Sequence, residues 1–274
     1  MGLLPAYMDK IDELALSEHK THGQIYTFLI TFPKFTLFTQ LRRLYFQIDM
    51  EACDEHLIQK AITSLSKTNI DALAIKVIGL KEQKSMPYGL NLPSLFALST
   101  LKKFSFATDA KDPFYYSDNL HICSKIEYLT ISDPVIAFDD LPSLLYAMPN
   151  LEHLNVRLTS ADYHFRQQRR IDLKTDLPSI PTLKTCILQI ENTCSVKFNL
   201  LAHFLKAMPA LRHLGITASY ELFNAHDWEM LLTTSLTALT HLRLHATITY
   251  HHDDVLPDLL DPFKTSFWIE KKIS

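Results

Sequence analysis

The chain has 274 residues, 47% of them hydrophobic and 21% charged, with a formal net charge of −3. This is a globular rather than a disordered composition, and the slightly acidic balance argues against nucleic acid as the main partner. No apolar run approaches the roughly 20 residues that cross a bilayer, and the first ten residues lack the apolar centre of a signal peptide, so no membrane role is expected.

In chain order, nine segments repeat one pattern: apolar, two others, apolar, one other, apolar. The first five triplets are Ile11, Leu14, Leu16; Leu41, Leu44, Phe46; Ile70, Leu73, Ile75; Leu101, Phe104, Phe106; and Ile126, Leu129, Ile131. The others are Leu151, Leu154, Val156; Leu183, Cys186, Leu188; Leu211, Leu214, Ile216; and Leu239, Leu242, Leu244. Successive starts lie 25 to 32 residues apart. The residues between the apolar slots are mostly polar, as in Arg42-Arg43, Lys102-Lys103 and Glu152-His153. Such alternation predicts a short strand with one face buried and one exposed.

Helical spacing appears between the strands. Leu57, Ile58, Ala61, Ile62 and Leu65 share one helix face, as do Leu200, Leu201, Phe204, Leu205 and Met208, and, more briefly, Leu141, Leu144, Leu145 and Met148. Asp54 and Asn199 stand where N-caps are useful. Pro149, Pro181 and Pro209 each precede a strand pattern by two residues, where proline stops a helix and favours extended backbone.

A strand, a helix and another strand require parallel pairing through a right-handed crossover. The period lies near the roughly 20–29 residues of leucine-rich repeats. The expected fold is therefore an α/β leucine-rich-repeat solenoid, a horseshoe with parallel strands on the concave face and helices on the convex face. One domain over 1–274 is expected, with about nine irregular repeats starting near 11, 41, 70, 101, 126, 151, 183, 211 and 239. Phe263, Phe267, Trp268 and Ile269 crowd residues 262–274, which are read as a C-terminal cap, the alternative being a truncated tenth unit.

The segments from Leu141-Pro142 to His153-Leu154 and from Phe198 to His213-Leu214 resemble repeats of F-box/leucine-rich-repeat proteins. The resemblance extends to 40–78, 228–244 and the tail 262–272. It implies a protein-interaction module, the substrate-recognition repeats of an F-box-type ubiquitin ligase adaptor, in which an F-box docks on Skp1. No F-box is visible in this chain, so Skp1 is expected only if one lies upstream. The usual Asn or Cys of the ninth repeat position is also missing: those places hold His19, Asp49, Ile78, Asp109, Pro134, Thr159, Glu191, Ser219 and Thr247. Without the buried Asn ladder, less regular curvature is expected. The alternative is a free-standing leucine-rich-repeat scaffold or inhibitor with no ligase role.

On the concave face the candidate partner-binding residues are Arg43, Tyr45, Lys76, Lys103, Tyr128, His153, Arg157, His213, His241 and Arg243. Five Lys or Arg against Glu13 alone on this face suggest an acidic or phosphorylated segment of a protein partner, since Arg grips such groups in pairs of hydrogen bonds. The competing reading is a solvated sheet face carrying solubilising charge. His213 and His241 are expected to be ladder neighbours, but a flat face does not converge three or four ligands, so no metal is expected there. His251-His252-Asp253-Asp254 is read as a polar loop.

No phosphate-binding glycine loop, Gly-x-Ser-x-Gly, His-Glu-x-x-His or Cys-x-x-Cys occurs, so no catalytic residues and no cofactor are assigned and the chain is not expected to be an enzyme. The four cysteines, Cys53, Cys123, Cys186 and Cys194, form no cysteine-rich cap; Cys186 fills a core slot. Reduced thiols in the cytoplasm or nucleus are expected, with a Cys186–Cys194 bridge as the alternative.

Overall fold

The computed structural model describes residues 4–18, 21, 23–49, 55–79, 92–109, 124–159, 179–191, 194, 196–247 and 263–270. Among the described residues nine strands form one sheet: β1 (Glu13–Ser17), β2 (Arg43–Asp49), β3 (Ala72–Ile78), β4 (Lys103–Thr108), β5 (Tyr128–Ala137), β6 (His153–Thr159), β7 (Thr185–Ile190), β8 (His213–Ser219) and β9 (His241–Thr247). All pairings are parallel, and the strand order in the sheet is the order in the chain. The helices are α1 (Gln24–Thr31), α2 (Glu55–Ser64), α3 (Leu92–Phe96), α4 (Leu141–Tyr146), α5 (Phe198–Lys206), α6 (Ala225–Thr234) and α7 (Ser266–Glu270). None is long and apolar enough to cross a membrane.

The expected apolar slots are the core. From Leu41 to Leu239 the first residue of each triplet is buried, and with the following slots they join helix residues such as Leu29, Ile58, Leu144, Leu205 and Trp228 in one cluster. Phe35 meets Phe46 edge-on at 6.1 Å, and Phe96 meets Phe104 at 5.4 Å, so helical segments press on the apolar face of the sheet. The alternation also runs one step further than the triplet. Ile48, Val77, Leu158, Ile190 and Ala218 form a fourth buried row.

The strands are joined by a repeated junction. The carbonyl of Asp12 accepts the N–H groups of both Arg42 and Arg43, at 2.8 and 3.0 Å, and the same fork recurs at Arg42, Asp71, Lys102, Glu127, Glu152, Lys184 and Arg212. Before each strand from β6 to β8 a turn closes onto the first apolar slot: Leu151 N–H donates to Met148, Leu183 to Ile180 and Leu211 to Met208. Pro149, Pro181 and Pro209 hold the second position of those turns, where a fixed φ is an advantage. The prolines thus shape the turn as well as stopping the helix.

Some expectations need correction. Asn199 is not an N-cap: α5 starts at Phe198, Lys197 holds the cap position, and no side chain bonds there. On α6 the N-cap side chain does bond: Asn224 accepts from His226 and Asp227. Cys186 and Cys194 are not bridged to each other, so the alternative pairing is not made. Asp54, Cys53, Cys123 and the 251–254 run lie outside the described residues. The tail residues Phe267 and Trp268, in α7, are partly buried against the core.

Candidate binding face

The second face of the sheet carries three rows of side chains, set by parallel register. The first runs Glu13, Arg43, Ala72, Lys103, Tyr128, His153, Thr185, His213, His241. The second places Tyr45 beside Ala74 and ends with Gly215 beside Arg243. The third holds Lys76 on β3 and Arg157 on β6.

Five of the ten candidate residues meet at one place. A groove of about 380 Å³ is lined by Arg43, Tyr45, Lys103, Tyr128 and His153, with Ala72, Ala74 and Ser105 between them. Lys103 Nζ lies over the Tyr128 ring at 5.0 Å, and Tyr128 stacks with His153 at 6.0 Å. Tyr45 is held by its hydroxyl, which donates to Gln47 Oε1 at 3.2 Å. Burial lowers the pKa of His153 and keeps it neutral at a pH where an exposed imidazole begins to protonate.

The other five stand apart from the groove. His213 and His241 are ladder neighbours with rings stacked 4.4 Å apart, at the β9 end of the sheet with Arg243. No group of three His, Cys, Asp or Glu able to hold a metal occurs among the described residues.

The charge of the face is smaller than a count along the strands suggests. Arg43 binds Asp12 at 3.0 Å and Glu13 at 3.2 Å, and these neighbours raise its pKa, the Asp12 hydrogen bond most. Arg157 binds Asp133 at 2.8 Å and Glu191 at 2.9 Å. Asp12, Asp133 and Glu191 flank the strand slots and so escape a reading confined to those slots. Among the described residues Lys76, Lys103 and Arg243 make no ion pair. Ala72, Ala74 and Ser105 also escaped the candidate list, although two alanines in adjacent rows of one strand are a visible sign of a depression.

No family model matches the sequence, and no curated protein matches it.

Proposed function

We propose that the chain is a leucine-rich-repeat solenoid that holds a protein partner against its concave face, as the substrate-recognition repeats of an F-box-type ubiquitin ligase adaptor. The observation that carries the interaction reading is the polar face of the sheet, exposed at Glu13, Arg43, Lys103, Tyr128, His213 and His241. It runs from Glu13 to His241 across nine strands, while the opposite face is committed to the core. A surface of that length, presented on a rigid stack, suits a macromolecule better than a small substrate.

The solenoid reading is supported by the strictly sequential strand order. A doubly wound sheet reverses direction at a switch point, and a closed barrel pairs its first strand with its last. Among the described residues β1 pairs with β2 alone and β9 with β8 alone. The repeated junction fork supports it further. The buried, unbridged thiol of Cys186 fits a cytoplasmic or nuclear setting. The ligase role rests on the resemblance of 141–154 and 198–214 to F-box/leucine-rich-repeat proteins.

The test is to tag the gene product at its own locus, purify it natively and measure Skp1 in the complex. Skp1 in equal amount supports the adaptor. A protein free of Skp1 removes the ligase role and leaves a leucine-rich-repeat scaffold or inhibitor.

A further inference from the structure

The groove on β2 to β6 has a mixed chemistry that narrows its occupant, given the interaction reading above. Ala72 and Ala74 take side-chain bulk out of two adjacent rows, and Tyr45 and Tyr128 stand on either side. Tyr45 cannot swing inward without losing its bond to Gln47, which is itself only 7% exposed. The space of about 380 Å³ is at the small end of the roughly 300–1,000 Å³ of ligand pockets. That is room for one large side chain and the backbone that carries it.

Charge then distinguishes the two rims. Arg43 is already occupied by Asp12 and Glu13. Lys103 has the Tyr128 ring beneath it and no carboxylate partner among the described residues. The ring face holds the ammonium in place and leaves its outer side open.

We propose that the groove seats one large apolar side chain, aromatic or branched aliphatic, of an extended partner segment, and that Lys103 binds an Asp or Glu two residues along that segment. Side chains two apart on an extended chain point the same way and lie about 6.6 Å apart. The step from β3, beneath the apolar residue, to β4, which carries Lys103, is about 4.8 Å, and the flexible lysine stem spans the remainder. A phosphate-first occupant fits less well, because it must displace both carboxylates from Arg43.

The experiment uses the full chain and fluorescein-labelled heptapeptides. The central residue is Trp, Phe, Leu or Ala; the residue two positions away on either side is Asp, Glu, Lys, Ser or phosphoserine. Affinity is read by anisotropy, and circular dichroism checks that each variant is folded. The expected result is selection of an apolar centre with Asp or Glu two residues away. Ala74→Trp should then weaken binding about 30-fold, the size of a lost hot spot. Lys103→Glu should exchange the acidic preference for Lys while the apolar preference stays. Three results overturn the inference: selected peptides that bind Ala74→Trp unchanged, preference for phosphoserine whatever the centre, or binding lost only in Arg243→Glu. The last leaves the interaction reading standing. Binding of no peptide by the wild-type chain overturns the inference and counts against the interaction reading as well.

Discussion

The fully buried carboxylate of Glu18 accepts the backbone N–H of Ile25 at 2.6 Å and that of Gln24 at 3.2 Å. It closes the first turn of α1, where Gly23 takes a left-handed φ of 78° and offers no side chain to cap with. Buried N–H groups without acceptors cost about 1–3 kcal/mol. Glu18→Ala should therefore lower unfolding stability by about 1–3 kcal/mol, and Glu18→Gln, which keeps an acceptor oxygen, by less. Urea unfolding checks both; an unchanged midpoint for the alanine variant refutes the capping role.

Trp228 anchors α6. It is wholly buried, donates from Nε1 to the Leu222 carbonyl at 2.9 Å, and meets Phe198 edge-on at 5.4 Å. Trp228→Ala should cost about 3–5 kcal/mol, the range for a large aromatic lost from a core. Trp228→Phe keeps most of the packing but leaves the carbonyl unpaired, at about 1–3 kcal/mol. The same urea titration ranks the two, and equal losses would show that the hydrogen bond dominates.

Cys186 is buried, and its thiol is pushed up to about 12 because the thiolate is unsolvated there. The thiolate is the nucleophile, so iodoacetamide at pH 8 should label Cys186 only after unfolding. The same shift links to stability. Above the pKa of an unfolded cysteine, about 8.5, the unfolded chain releases a proton that the folded chain keeps. This contribution is therefore fully present below that pH and is lost as pH rises toward 12. Cys186→Ala should show a shallower loss of stability than wild type above pH 9 in matched denaturant titrations.

His153 behaves in the opposite sense. Its pKa is lowered by burial, so the unfolded chain takes up a proton before the folded one does. Stability from this group is complete above the ordinary histidine value of about 6.5 and declines as pH falls below it. An NMR titration of the His153 ring should give a midpoint below about 6.5. A midpoint at or above that value would mean that stacking on Tyr128 does not exclude water.

Period-two alternation, recurring every 25 to 32 residues, was enough to place the nine strands seen among the described residues. Leu44, Phe46 and their equivalents mark one face, Arg43, Tyr45 and theirs the other, and the intervening helical spacing compels parallel pairing. Side-chain direction along a strand is local, so the sequence alone determined which residues share a face and, through equal phase, which are ladder neighbours, as with His213 and His241. Helix α1 was not legible in this way. Its segment Gln24–Thr31 carries no charge and several β-branched residues, and it is helical because Glu18 closes its first turn and Ile25 and Leu29 are buried. The electrostatics of the polar face were also decided in three dimensions. Asp12 and Arg43 are 31 positions apart, and Asp133 and Arg157 are 24 apart. Whether such pairs meet depends on how far a flanking side chain reaches across strands set side by side, which the pattern along any one strand does not contain.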